Sequence, residues 1–125
     1  MKTTLFIPVT SVDEALRFYI EKLALFEIQI DYGMDNYLIS YKHNNSFGLN
    51  IVLGSPIIHL GPLYELEVAS CIPEFERIAG TVFEKGGLVN PNRNSKNIFE
   101  YPLGRNFLME DPFGHKFLIS EYFSI

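Results

Sequence analysis

The chain has 125 residues, of which 47% are hydrophobic, 14% aromatic and 20% charged, and these proportions indicate a globular protein with a core rather than a disordered segment. A formal net charge of -5, with no basic stripe to contact phosphates, argues against nucleic acid as a partner. No run of about 18 apolar residues could cross a bilayer, so we expect no membrane partner and a cytoplasmic location. The lone Cys71 cannot form an intramolecular disulfide, and we expect it to be a buried small hydrophobe rather than a reactive thiol.

The first half of the chain predicts a strand, a helix and three further strands. Residues 3–9 alternate in a period of two, which is typical of a strand. Ser11 and Glu14 form a capping-box pattern at the start of an amphipathic helix of about three turns. Strand-like runs follow near residues 26–31, 36–42 and 47–53. Asn44 and Asn45 have the turn chemistry expected between the last two runs.

The second half repeats this order. A shift of 59 positions places Ser11 on Ser70 and continues the apolar pattern through a second helix. The expected buried stripe of that helix comprises Phe75, Ile78, Ala79 and Val82. Gly86 and Gly87 are expected to end it. Further strands are predicted near 88–90, 98–101, 105–110 and 115–122, with a polar loop around 91–97 and a turn at 111–114.

These patterns predict an α+β fold made of two βαβββ modules. We expect one domain over residues 1–125, with module one at about 1–55 and module two at about 62–125. Each sheet has one face under its helix, so the remaining faces of two adjacent modules can curl around a shared cleft. Function is expected in that cleft.

A family resemblance rests on two segments. Residues 100–117 read EYPLGRNFLMEDPFGHKF, in which an aromatic residue, a glycine, an arginine and a phenylalanine lead into Asp-Pro-x-Gly, and the first predicted helix carries the pair Phe18 and Tyr19. Together with the internal repeat, these features resemble the vicinal oxygen chelate superfamily of glyoxalase I, extradiol dioxygenases and bleomycin resistance proteins, and most of all the last group. The resemblance implies a curved mixed sheet around a cleft and a homodimer whose faces complete two clefts.

The resemblance also implies where a metal ion would lie. Metalloenzymes of this superfamily hold one divalent ion through His and Glu side chains on four strands. The equivalent positions here are Thr4, near Asn50, near Leu63, and Leu118. None is a histidine or a carboxylate, so we predict no metal, no cofactor and no catalytic residue of that kind. The histidines His43, His59 and His115 are expected at surfaces or turns, without converging on a substitute site.

The predicted cleft is mixed in character. If Tyr64 and Leu66 face the second helix, Leu63, Glu65 and Glu67 face the cleft. Two carboxylates roughly 6.5 to 7 Å apart on one wall suit a cationic ligand, although they are equally compatible with an open, solvated surface. The candidate ligand-binding residues are Thr4, Phe6, Asn50, Val52, Leu63, Glu65, Glu67, Lys116 and Leu118, with Tyr101 and Arg105 at the rim.

We therefore interpret the chain as a metal-independent small-molecule binding protein that resembles bleomycin resistance proteins and sequesters a hydrophobic ligand, with a cationic group as an option. Because bleomycin resistance proteins carry large aromatic groups at this wall, Glu65 and Glu67 argue against bleomycin itself. One alternative is a lyase, isomerase or dioxygenase with displaced ligands such as Glu65, Glu67 and His59. A second is a protein-interaction domain. An enzyme is disfavoured but left open, and the ligand, pathway and dimer arrangement are not determined by the sequence.

Overall fold

The computed structural model describes residues 2–89 and 98–124. It divides into two compact units, Met1–Ile58 and His59–Ile125. Each unit is a helix packed on one face of its own mixed sheet, so the predicted α+β class and the two modules are confirmed. No helix among the described residues is long and apolar enough to span a membrane.

The first unit has the predicted βαβββ order. Its elements are β1 (Thr3–Val9), α1 (Val12–Leu16), a π-helical continuation (Arg17–Lys22), β2 (Phe26–Asp31), β3 (Tyr37–Tyr41) and β4 (Asn44–Leu53). The sheet order is β1-β4-β3-β2, with β1 parallel to β4 and the other pairs antiparallel. A parallel pair of neighbours requires the crossover connection that the helix supplies.

Period-two alternation explains the core of this unit. Ile7 and Val9 on β1 are fully buried, as are Leu49 and Ile51 on the adjacent β4. The helix begins where predicted, because the Ser11 hydroxyl accepts a hydrogen bond from the Glu14 backbone N–H at 3.3 Å. Its apolar stripe lies against these strands and buries the side chains of Val12, Ala15, Phe18, Tyr19 and Leu23.

The turn between β3 and β4 lies two residues earlier than predicted. It is formed by Lys42 and His43, and Asn44 already belongs to β4, where it pairs with Tyr41. Asparagine favours turns because its side chain can bind nearby backbone groups. Here the Asn44 Oδ1 accepts a hydrogen bond from the Ser46 N–H at 3.1 Å, so the same chemistry operates at the first residues of the strand.

The second unit repeats the order with one strand interrupted. Its elements are β5 (Tyr64–Glu67), α2 (Cys71–Ala79), β6 (Gly87–Leu88), β7 (Phe99–Tyr101), β8 (Gly104–Glu110) and β9 (Lys116–Tyr122). The order is β5-β9-β8-β6, with β5 parallel to β9, and β7 also pairs with β8. Strands β6 and β7 contact opposite ends of β8 and together take the place of one strand. The predicted loop at 91–97 lies outside the described residues.

Helix α2 ends earlier than the sequence pattern predicted. It stops at Ala79, and the N–H of Gly80 bonds to the carbonyl of Glu76 at 3.1 Å. Gly80 therefore ends the helix in place of the predicted glycine pair at 86–87, because it is the first residue of poor helix propensity after the first turn, where Pro73 is tolerated. The predicted buried stripe is consequently wrong at its end: Ala79 is exposed, and Val82 is 77% exposed.

Candidate functional site

Four predicted site residues share the open face of the first sheet, opposite its helix. Phe6 on β1 lies directly across from Asn50 on β4, and Val52 lies two residues further along β4. Thr4 precedes Phe6 by two residues and therefore lies on the same face. Phe6 is 63% exposed, which is unusual for a phenylalanine on a strand of this sheet. The structure thus groups Thr4, Phe6, Asn50 and Val52.

Five predicted residues share the open face of the second sheet. Glu65 on β5 is opposite Leu118 on β9, and Glu67 follows Glu65 by two residues. Leu63 lies just before β5, and its N–H donates to the Lys116 carbonyl at 2.7 Å. Both glutamates are exposed, while Leu63, Lys116 and Leu118 are half-buried. We call this surface the Glu65 face.

The two predicted rim residues, Tyr101 and Arg105, lie on opposite faces of the second sheet. Tyr101 on β7 pairs with Gly104, which pairs with Tyr122, so Tyr101 lies on the Glu65 face. Arg105 follows Gly104 directly and therefore points to the opposite face, where the helix packs. Its Nε lies 4.0 Å from a Glu121 carboxylate oxygen, and its guanidinium carbon lies 5.1 Å from the centroid of the Phe123 ring. The structure does not bring Arg105 together with the other candidates.

The carboxylate of Glu65 is held by two hydroxyl groups that the sequence interpretation omitted. The Ser120 hydroxyl donates to one oxygen at 2.8 Å, and the Tyr122 hydroxyl lies 2.6 and 2.7 Å from the two oxygens. Ser120 is fully buried, whereas Tyr122 is 45% exposed. The sequence could have predicted this contact, because residues 118, 120 and 122 of β9 alternate onto the same face of the sheet.

This contact changes the acidity of the phenol. Hydrogen bonding to the Glu65 carboxylate, with smaller contributions from desolvation and from the carboxylate's charge, raises the pKa of Tyr122 from 10.0 to about 12. The Tyr122 phenol therefore keeps its proton across the physiological range. With its proton directed at Glu65, its oxygen still has lone pairs that can accept a hydrogen bond from a ligand.

The residues at the family's metal positions do not fit a divalent ion. Leu63 and Leu118 have no donor atoms, and Thr4 pairs across the sheet with Gly48 rather than with Asn50. A hydroxyl and an amide without a charged or imidazole ligand hold Mg, Mn, Zn or Fe poorly against water. Within residues 2–89 and 98–124, no three side chains of His, Cys, Asp or Glu are grouped to hold a metal.

His59, a candidate displaced ligand, is committed to other contacts. Its Nδ1 bonds to the Gly61 carbonyl, and its Nε2 accepts the Lys116 N–H at 3.4 Å. Both ring nitrogens are therefore engaged within the second unit. Glu65 is likewise engaged by the hydroxyls of Ser120 and Tyr122, so these two residues do not form a ready metal site.

His115 follows a turn, as expected, but it does not lie at the surface. Its side chain is fully buried, with Nδ1 2.8 Å from a carboxylate oxygen of Asp111. Asp111 also accepts the backbone N–H groups of Phe113 and His115 at 2.8 and 3.0 Å, which closes the predicted turn. His59 stacks on His115 with ring centroids 6.3 Å apart, so two histidines do approach each other.

Cys71 has the buried character that the sequence predicted. Burial, followed by the charge of Glu121, raises the pKa of the Cys71 thiol from 9.0 to about 11. Its Sγ donates to the backbone carbonyls of Arg105 and Ile119 at 3.4 and 3.5 Å. The thiol is accordingly a packing group rather than a nucleophile.

No protein-family model matches the chain, and no curated protein matches it in sequence. Solved structures do match in fold. UcmS2 is 20% identical with a TM-score of 0.72, and the match covers 96% of each chain. TnmS3, described as an antibiotic binding protein from Streptomyces sp. CB03234, is 19% identical with a TM-score of 0.72, over 98% of this chain and 96% of that one.

A member of the glyoxalase/bleomycin resistance protein/dioxygenase superfamily from Sphaerobacter thermophilus is 18% identical with a TM-score of 0.68, over 97% of this chain and 96% of that one. The fold of this protein is therefore the glyoxalase/bleomycin resistance protein fold. The resemblance found in residues 100–117 and in the internal repeat is confirmed at the level of the fold.

Proposed function

We propose that this protein is a metal-independent small-molecule binding protein that sequesters a hydrophobic ligand with an amine or another hydrogen-bond donor. The observation that carries the proposal is the Glu65 carboxylate, which Ser120 and Tyr122 hold on an exposed sheet face. A carboxylate that is already oriented loses less side-chain entropy when it binds a donor or a cation. Leu118, which pairs with Glu65 across the sheet, supplies apolar contact area beside it.

The chemistry at the metal positions supports binding rather than metal catalysis. Divalent ions in proteins rely on imidazole, thiolate and carboxylate ligands. Leu63 and Leu118 occupy two of the four family positions and supply no donor atom. Ligand binding on these faces then depends on side-chain hydrogen bonds and apolar contact alone.

The structural neighbours support the same class. TnmS3 is described as an antibiotic binding protein and shares this fold over nearly its whole length. We propose by analogy that this chain also binds a natural product or a related aromatic compound. Sequestering such a compound would give the protein a role in antibiotic resistance. Fold analogy alone is a weak argument for function, so the proposal depends on the chemistry of the Glu65 face.

Assembly and location complete the proposal. We propose one domain over residues 1–125, as the chain length led us to expect, and a homodimer, as the family resemblance implies. We also propose a cytoplasmic location, which was expected from a sequence without a long apolar run. Light scattering coupled to size-exclusion chromatography tests the dimer directly. A monomer at micromolar concentration would remove the homodimer from the proposal.

A thermal-shift screen tests the binding function. The panel comprises aromatic amines, neutral aromatic compounds of matched size, and aliphatic amines. The proposal predicts saturable stabilisation by at least one aromatic amine, weakened in Glu65→Ala and unchanged in Glu76→Ala. Glu76 is a suitable control because it is an exposed glutamate on α2, away from the Glu65 face. No stabilisation of folded protein by any compound would contradict the proposal.

One observation favours a protein-interaction role as a second candidate. The edge strand β2 and the turn after it expose apolar side chains, with Ile28 at 50%, Tyr32 at 55% and Met34 at 98%. Exposed apolar groups on an edge strand favour association with another chain. A stoichiometric partner that co-purifies and is lost in Ile28→Lys would support this candidate, and a clean monomer or homodimer that binds aromatic amines would argue against it.

A further inference from the structure

The Tyr122 hydroxyl lies between the two oxygens of the Glu65 carboxylate. Its oxygen is 2.6 Å from Oε1 and 2.7 Å from Oε2. A position nearly equidistant from both oxygens is in front of the carboxylate, on the side to which one lone pair of each oxygen points. We call this the fork side of Glu65. The phenol of Tyr122 therefore occupies the fork side.

The Ser120 hydroxyl takes a further acceptor position on the same carboxylate. It donates to Oε2 at 2.8 Å in a partly buried contact, and Ser120 is itself fully buried. A carboxylate offers about four lone-pair positions, two on each oxygen. With the fork side and the second position on Oε2 taken, the acceptor position that remains on Glu65 is the outer one of Oε1.

This arrangement restricts the shape of a cationic group that can bind Glu65. Planar guanidinium and amidinium groups bind carboxylates best through two parallel N–H groups, which approach from the fork side. At Glu65 their nitrogens would overlap the Tyr122 oxygen unless the phenol gave up its hydrogen bond. An ammonium group donates from a single nitrogen and needs only one acceptor position. The outer position of Oε1 meets that need.

The surroundings of Glu65 favour a cation with an apolar part. Tyr122 and Ser120 both donate to the carboxylate, so neither hydroxyl proton is directed at an acceptor on a ligand. Glu67 follows Glu65 by two residues and is exposed on the same face, so its charge adds to the negative potential. Leu118 opposite Glu65 and the 45% exposed Tyr122 supply apolar contact for the rest of the ligand.

We propose that the Glu65 face selects ligands whose cationic group is an ammonium, bound through one N–H to Oε1 of Glu65, over ligands with a planar amidinium or guanidinium group. Tyr122 is the specificity-determining residue, because its hydroxyl closes the fork side. This inference rests on the proposed binding function and specifies the cationic group of its ligand. Neither Ser120 nor Tyr122 was among the site residues predicted from the sequence.

A matched pair of probes tests the selection. Benzylamine and benzamidine share a phenyl ring and carry one positive charge at neutral pH. The first donates from a single nitrogen, and the second donates from two parallel N–H groups. Titrations followed by NMR spectroscopy of isotope-labelled protein give both dissociation constants even when binding is weak. We expect the wild type to bind benzylamine at least about threefold more tightly than benzamidine.

Tyr122→Leu opens the fork side, because leucine is too short to reach the Glu65 carboxylate. Loss of the tyrosine ring affects both probes alike, so the ratio of their affinities reports the fork side alone. We expect benzamidine to gain about tenfold relative to benzylamine, the effect of one additional charge-assisted hydrogen bond. Glu65→Gln should weaken both probes. Tyr32→Leu, at an exposed tyrosine of the first unit, is the matched control and should leave the ratio unchanged.

The outcomes separate this inference from the proposed function. A wild type that binds benzamidine as tightly as benzylamine, or a ratio that is the same in Tyr122→Leu, would overturn the selection and leave the binding function standing. If neither probe binds while other compounds of the panel do, the assignment of an ammonium to Glu65 is overturned. Failure of every compound would overturn the binding function itself. The wild-type comparison needs no variant, so it stays decisive if Tyr122→Leu does not fold.

Discussion

The hydroxyl of Tyr122 lies 2.6 and 2.7 Å from the two carboxylate oxygens of Glu65, so its single proton is shared by both. The two residues are 57 positions apart in the chain and meet because β5 and β9 are parallel neighbours. Their contact places a charged acceptor and an aromatic ring side by side on an exposed face. This pairing is the chemical centre of the proposed binding surface.

The first prediction concerns the titration of Tyr122. Its pKa is raised from 10.0 to about 12, so the wild type should contain a tyrosine that ionises about two units late. Because the folded-state pKa is raised, the contact contributes stability that is fully present below about pH 10 and is lost as the pH rises through about 12. Ultraviolet titration of tyrosinate should show that Glu65→Gln moves this late step toward 10. An identical titration curve in Tyr122→Phe would contradict the assignment.

The second prediction concerns the reactivity of Cys71. A pKa raised from 9.0 to about 11 lowers its thiolate fraction near neutral pH by about a hundredfold, and burial blocks access as well. Native protein should therefore react very slowly with Ellman's reagent, and protein unfolded in guanidinium should react fully. Rapid stoichiometric reaction of the native protein would show that the α2 N-terminus is open.

The third prediction concerns the cap of α2. The Ser70 side chain makes no capping bond, and the Cys71 N–H donates instead to the Glu121 carboxylate at 3.0 Å. Glu121→Ala should lower the free energy of unfolding by about 1 kcal/mol, since it removes both a cap and a favourable charge at a helix N-terminus. Denaturant unfolding measures this loss. Glu76→Ala on the same helix is the control, and an equal effect in both variants would refute the cap.

The fourth prediction concerns the buried pair of Asp111 and His115. Asp111→Ala removes the carboxylate that accepts hydrogen bonds from the backbone N–H groups of Phe113 and His115. It also removes the partner of the His115 ring nitrogen Nδ1. We expect a loss of about 3 kcal/mol in unfolding free energy. Gly114→Ala, which strains a φ of +93° in the same turn, should cost only about 1 kcal/mol. A loss under 1 kcal/mol for Asp111→Ala would mean that the pair is not buried in solution.

The sequence was informative where the signal is local or periodic. Alternation in β1 and the stripe that contains Tyr19 follow directly from the pattern of apolar residues, and the repeat supplied the module order. The bleomycin resistance-like fold could therefore be predicted before any coordinates. Helix α2 was predicted too long because Gly80 was overlooked in favour of the glycines at 86 and 87.

The parts that were missed depend on contacts between distant residues. Glu121 accepts the N–H of Cys71 at the start of α2, where the repeat aligns Ser70 with the capping residue Ser11, although Glu121 lies far away in the chain. The position of His115 directly after a turn was visible in the sequence, but its burial was not. That burial depends on how the distant His59 and the turn pack around it. Arg105 was predicted at the rim of the cleft together with Tyr101, but alternation sends their side chains to opposite faces of the sheet.

The central claim is that binding needs no metal ion, and one paired measurement tests it. Protein purified without chelator or nickel is divided, one half is treated with chelator, and the metal content of each half is measured by inductively coupled plasma mass spectrometry. Both halves are then titrated with the best aromatic amine from the screen. The account predicts no stoichiometric metal and the same affinity in both halves. A tightly held, stoichiometric ion whose removal abolishes binding would contradict it and would favour a metal-dependent enzyme.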